Sequence, residues 1–258
     1  MKRIATGLVL LAIFTYVVIW SPGWAFAAAL AVVAGLGYRE YENILGAYGL
    51  ERLPIVPYAM GLVVLAAPPD MTILILLGLV PLVLALRVSD LSKALPSAAG
   101  VTLGVIYCFG PWRVSYALRE ISEWWLFFAL SLNWVGDTAA YYGGRAFGRN
   151  KLAPRVSPGK TWEGTLCSVA GSLVYGLAYA YWLLPSAPPL IVAVLAIAGN
   201  IAGQLGDLVE SALKRGAGLK DSGTLLPGHG GWLDRIDASL FSIPVVYHLL
   251  AYVFPAVR

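Results

Sequence analysis

Apolar stretches close to 20 residues long recur along this chain with short polar breaks between them. That spacing predicts helices that cross a bilayer, because a hydrocarbon layer of ~30 Å is spanned by about 20 residues rising 1.5 Å each. Nine spans are predicted, at about 4–20, 23–44, 54–68, 71–87, 96–112, 124–147, 164–184, 189–213 and 237–256. The third and fourth are short and separated only by Pro68, Pro69 and Asp70, as in a hairpin of tilted helices. A transmembrane barrel would instead show short alternating segments. The expected fold class is all-α, a polytopic integral membrane protein. Residues 113–123, R-V-S-Y-A-L-R-E-I-S-E, mix apolar and charged positions at roughly helical spacing and predict a separate interfacial helix. No linker or repeat divides the chain, so one continuous membrane domain is expected, with a scaffold half (1–120) and a catalytic half (121–258).

Composition agrees with the pattern. The chain is 59% hydrophobic and 12% charged, against roughly 25% charged residues in soluble domains. Lys and Arg gather in cytoplasmic loops of membrane proteins. Placing the N-terminus in the cytoplasm leaves only Arg113, Arg119 and Arg258 of the 18 basic residues outside. The expected location is the cell (inner) membrane with the polar site facing the cytoplasm. The net charge of +4 then reads as a topology signal with some attraction for anionic lipid, and no nucleic-acid partner is implied. Lys2 and Arg3 precede the first span and Ala25-Phe26-Ala27 has the small-residue pattern of a cleavage site, but the apolar run resumes at once, which favours an uncleaved span. Cys108 and Cys167 lack metal-ligand spacing and read as buried structural thiols. The charges of the first half, Glu40 and Glu42 among them, lie near span ends, where solvated or snorkelling side chains are the default.

The second half carries three polar islands that the topology places on one side. In N-W-V-G-D-T-A-A-Y-Y-G-G-R, Asp137 stands well inside the sixth span. A carboxylate at that depth costs at least ~2.5 kcal/mol on insertion scales, so it reads either as an interhelical ion-pair partner or as a ligand for a cation or polar substrate. The second island runs from Arg145 to Gly164, with Ser157, Lys160, Thr161 and Glu163 as candidate substrate contacts. Its G-K-T resembles the end of a P-loop, but Pro154 stands where that motif needs Gly and a membrane helix precedes it, so a P-loop is excluded. Lys160 and the N-H groups of the following helix start remain suited to phosphate.

The third island joins the eighth and ninth spans. On a continuing helix Asp207, Glu210, Ser211 and Lys214 share one face. Beyond Arg215, P-G-H-G-G offers backbone N-H groups with little bulk, a natural anion loop. Asp234 and Asp237, three apart at a helix start, point the same way and suit a hard cation such as Mg2+. A cation, a basic cluster and a Gly-rich loop suit phosphoryl or nucleotidyl transfer, whose catalyst positions reactants and neutralises negative charge. His248, within the last span, reads as a packing or hydrogen-bonded helix residue.

The run from Ser211 to Asp237 resembles the signature of the phosphatidate cytidylyltransferase (CDP-diacylglycerol synthase) family, through Ser211, Lys214, Arg215, Lys220, Asp221, Pro227, His229, Gly230, Gly231, Asp234, Arg235 and Asp237. G-D-T-A-A-Y at Gly136–Tyr141 and S-P-G-K-T-W-E-G at Ser157–Gly164 are similar to family motifs in the same order. The resemblance covers about residues 130–240, and Gly159 departs from the more basic or polar residue expected there. It implies transfer of CMP from CTP to phosphatidate, with Mg2+ required. Asp207, Asp234 and Asp237 would hold one or two cations, and Lys160, Lys214, Arg215, Lys220 and Arg235 would hold phosphate. His229 would contact substrate in an unspecified role. Asp207, Lys214, Asp234 and Asp237 are the residues expected to be catalytic. The expected partners are CTP, phosphatidate and the bilayer. The resemblance implies a possible homodimer, and the G-x-x-x-G of Gly199 and Gly203 suits close helix packing within or between subunits. Two other readings stay open at this point: a CTP-dependent polyprenol kinase, and a cation transporter using Asp137 and Asp207.

Overall fold

The computed structural model describes residues 12–53, 55–68, 70–225 and 230–257. Helix α1 covers 12–19, and α2 (Gly23–Ala47), α3 (Val56–Ala66), α4 (Met71–Leu84) and α5 (Ala94–Ile121) complete the first half. Helices α6 (Glu123–Phe147), α7 (Trp162–Leu183), α8 (Pro189–Gly216) and α9 (Leu233–His248) form the second. The last of these runs on as a π-helical turn, Leu249–Val253. Every predicted span coincides with a helix among the described residues. Four segments, Leu91–Ile121, Trp162–Leu183, Pro189–Gly216 and Leu233–Val253, are long and apolar enough to cross a membrane.

Helix boundaries follow local chemistry. Ser122 is extended (φ −166°, ψ 135°) and its hydroxyl accepts from Trp124 N–H, starting α6. Thr161 caps α7 by accepting from Gly164 N–H at 3.1 Å. At the end of α8, Gly218 takes φ 71°, and Leu219 N–H bonds Lys214 C=O while Gly218 N–H bonds Arg215 C=O. This Schellman pairing needs a left-handed residue, which glycine adopts without a Cβ penalty.

Helix α5 packs against α2, α3, α4, α6 and α9, while α6, α7, α8 and α9 pack in sequence. One apolar core runs through both halves and includes Tyr38, Phe109, Trp125, Phe128, Leu233 and Ile243.

Three expectations are corrected here and one is met. Residues 113–121 are no separate interfacial helix, because α5 continues through Pro111 to Ile121. Its charges are tertiary anchors: Arg119 donates to the carbonyls of Val18 (2.7 Å) and Ser21 and lies 4.5 Å over the ring of Phe26. Glu40 and Glu42 do not snorkel, since they are 4% and 9% exposed. Gly199 and Gly203 serve close packing within the chain, against Val246 and Asn133, one of the two uses expected of their motif. A two-stranded antiparallel hairpin, β1 (Lys151–Ala153) and β2 (Ser157–Thr161), interrupts the helical pattern between α6 and α7. Its strands are too short for a periodicity of two to declare itself.

Candidate active site

The three polar islands converge. The C-terminal half of α6 brings Asp137, Tyr141 and Arg145, the hairpin brings Lys160, and α8 brings Gln204 and Asp207. A polar cavity of about 380 Å³ is lined by Asp137, Tyr141, Arg145, Lys160, Thr161 and Gln204 among others. A second, largely apolar cavity of about 370 Å³ runs between α1, α2, α5, α6 and α9, past Phe14, Leu30, Trp112 and Leu126 to Asp234, Arg235 and Asp237. Asp137 lines both. A cavity flanked by Arg145 and Lys160 and a largely apolar one thus share the Asp137 carboxylate.

The charged groups divide by what they touch. Lys160 Nζ lies 2.6 Å from Asp207 Oδ2, pinning the hairpin to α8, and Ser211 Oγ donates to Asp207 Oδ1 at 3.3 Å. The face predicted for Asp207, Glu210, Ser211 and Lys214 is therefore present. Lys214 is inside it, paired with Glu210 one turn back and with Asp234 at the start of α9. Glu210 is fully buried and the side chains of Lys214 and Asp234 are 9% exposed. Asp234 also accepts from Ser222 N–H (3.2 Å) and Gly231 N–H (2.7 Å), so its oxygens are committed within the protein. Asp237 accepts from Ala238 N–H at 2.7 Å and lies within coulombic range of Asp137 and Asp207.

Several expected contacts have other partners. Glu163 turns back onto the hairpin and accepts from the backbone of Arg149 (3.1 Å) and from Asn150 Nδ2 (2.8 Å). Thr161 is buried as the α7 cap while still lining the polar cavity. Arg215 Nη1 donates to Leu219 C=O (2.9 Å) and Nε to Val156 C=O (3.4 Å), joining the end of α8 to the hairpin turn beside Ser157. Lys220 and Asp221 are exposed on the loop after α8. Gly230 takes φ 80° beside Asp234, and Gly231 is buried against Ser222 and Glu40. His229 and Pro227 lie outside the described residues.

Two features of the site escaped the sequence reading. Glu40 of α2 accepts from Ser222 Oγ (2.6 Å) and Leu233 N–H (2.8 Å). It thereby caps α9, whose own N-cap, Trp232, offers no side-chain acceptor. A carboxyl in a 25-residue apolar helix was the available signal, since such a group needs a partner. The second is the amide of Gln204 on the cavity wall, invisible among the small residues of α8.

The expected trio of metal ligands must be set against these contacts. Among the described residues, no group of three or more His, Cys, Asp or Glu side chains is gathered as a metal cage. Mg2+ is ordinarily held by one or two carboxylates plus substrate phosphates rather than by an all-protein cage. The pair-wise proximity of Asp137, Asp207 and Asp237 suits that mode, with Asp207 exchanging Lys160 or Ser211 for a cation, whereas Asp234 is held by three donors, Lys214, Ser222 N–H and Gly231 N–H.

A model of the cytidylyltransferase family matches residues 1–253. The chain belongs to the cytidylyltransferase family. Among curated relatives, phosphatidate cytidylyltransferase of Pseudomonas aeruginosa is 36% identical over 265 residues, covering 96% of each chain. That of Synechocystis is 31% identical over 282 residues and 92% of each chain. That of Bacillus subtilis is 38% identical over 154 residues, 58% of this chain and 57% of the relative. The match extends through the first half, where only hydropathy and length had been suggestive.

Proposed function

We propose that this protein transfers CMP from CTP to phosphatidate, giving CDP-diacylglycerol and pyrophosphate. The observation that carries the reading is the shared wall at Asp137. The polar cavity, with Arg145 and Lys160, suits a nucleoside triphosphate, and the apolar one suits acyl chains whose phosphate meets Arg235. A lipid phosphate oxygen attacks the α-phosphorus of CTP; the new O–P bond forms as the bond to pyrophosphate breaks, and no protein nucleophile takes part. Lys160 and Arg145 neutralise the charge that accumulates on the leaving pyrophosphate. Lys214 holds Asp234 and Glu210 in place, so its role is positional.

Mg2+, when bound, would supply Lewis-acid neutralisation of the triphosphate, with Asp137, Asp207 and Asp237 as its protein ligands. In this reading the helices cross the membrane nine times with the N-terminus in the cytoplasm. The site then opens to soluble CTP, and all basic residues but Arg113, Arg119 and Arg258 lie on its side. The test is a detergent assay with α-labelled CTP and phosphatidate, with and without Mg2+. Label entering the lipid only with Mg2+, and lost in Asp237→Asn, supports the reading. Entry of γ-label instead would make the protein a kinase, and ion flux without CTP consumption would make it a transporter.

A further inference from the structure

A chain of hydrogen bonds fixes which way the Gln204 amide faces. Leu132 C=O on α6 can only accept, and it takes the hydroxyl hydrogen of Ser172 at 3.2 Å. That leaves Ser172 Oγ an acceptor for Asn200 Nδ2 at 2.9 Å, and Asn200 Nδ2 also bonds Ser168 Oγ at 3.0 Å. Both amide hydrogens of Asn200 are then directed to α7, so its Oδ1 faces the other way and accepts from Gln204 Nε2 at 2.6 Å. Ser168, Ser172 and Asn200 are at most 2% exposed, and a Cβ at Gly136 would strike all three. The relay therefore runs in the dry interior with its direction set by a backbone carbonyl, and it ends at a residue that lines the polar cavity.

A locked amide is a reader of nucleobases. The N3/C4 edge of cytosine presents an acceptor and an amino donor, and that of uracil presents a donor and a carbonyl acceptor, the same pair in opposite order. A glutamine free to turn over satisfies either. One held in a single orientation satisfies one and sets donor against donor for the other. We infer that Gln204, held by Asn200, Ser168 and Ser172, is the residue that selects a cytosine over a uracil nucleotide. This rests on the CTP-dependent reading above and deepens it.

The experiment compares the KM for CTP with the Ki of UTP as a competing nucleotide, in wild type, Gln204→Met and Asn200→Leu. Gln204→Met removes the reader, and Asn200→Leu leaves it in place but free to turn. Each should narrow the gap between the two constants by about 10-fold, the scale on which a mispaired polar contact discriminates. A gap that stays at its wild-type width in both variants overturns the inference, whether or not kcat falls, because a purely structural role lowers turnover without changing nucleotide preference. If a variant loses turnover, the same ratio is read from displacement of bound labelled CTP by UTP. Wild type that transfers no α-label from CTP would overturn the functional reading instead.

Discussion

Glu40 joins the two halves of the molecule at the place where the site is built, and removing it should loosen that place first. Glu40→Ala deletes the acceptor of Ser222 Oγ and of Leu233 N–H and leaves the latter buried at a helix start with no side-chain cap. Hydrogen bonds to charged groups contribute about 1.5–3 kcal/mol each. The Ser222 hydroxyl can turn elsewhere, so a total near the lower end, about 3 kcal/mol, is expected. Glu40→Gln keeps an acceptor oxygen in the same position and should cost about 1 kcal/mol. The opening is local, so hydrogen exchange across residues 217–240 reads it directly: 3 kcal/mol corresponds to roughly 100-fold faster exchange. Because Asp234, Arg235 and Asp237 stand within the first five residues of the helix that Glu40 caps, kcat/KM should fall with the alanine variant and recover with glutamine. Exchange in Glu40→Ala at the wild-type rate would refute the reasoning, as would an equal loss of activity in both variants.

Other outcomes follow from the same contacts. Lys214→Met strands the buried carboxylates of Glu210 and Asp234, and breaking a buried pair costs about 3–5 kcal/mol; thermal unfolding in detergent should show a large drop. Outside the membrane-spanning helices, Glu51 accepts from Ser89 N–H at 2.9 Å and from its hydroxyl, and these bonds hold its carboxyl below the usual range. A depressed carboxyl stabilises above its unfolded pKa and loses that contribution as pH falls through the folded value. Exchange of the Ser89 amide should therefore be insensitive to Glu51→Gln in strong acid and faster in the variant near neutrality, after correction for intrinsic rates.

Helix positions were legible because long apolar runs bounded by polar breaks mark helices able to span a bilayer: α8 is predicted at 189–213 and found at Pro189–Gly216. The exceptions have local causes. Residues 113–121 look amphipathic because Arg113 and Arg119 reach carbonyls of neighbouring segments, Ala67 for the first and Val18 and Ser21 for the second. A one-dimensional pattern cannot distinguish an arginine that meets water from one that meets a backbone oxygen. Strands of three and five residues between two long helices leave no periodic trace.

The site was legible in its parts and less so in its pairings. Helical spacing placed Asp207, Glu210, Ser211 and Lys214 on one face. What it could not supply was the partner across the helix gap, which decides a group's chemistry. Lys214 reads as a phosphate ligand until Asp234 and Glu210 are seen to hold it, and Asp234 reads as a metal ligand until Ser222 and Gly231 are seen to occupy its oxygens. Inside an apolar bundle each polar group must find a partner, so sequence can say that Glu40, Asp137 or Asn200 is committed to something. Whether that something is another helix or a substrate is settled by which groups remain on a cavity wall once the internal partners are counted. Asp137 lines the polar chamber, and Lys160 and Gln204 line it while each also holds one internal partner, Asp207 and Asn200, whereas Lys214 and Asp234 are held by each other and by Glu210, Ser222 and Gly231.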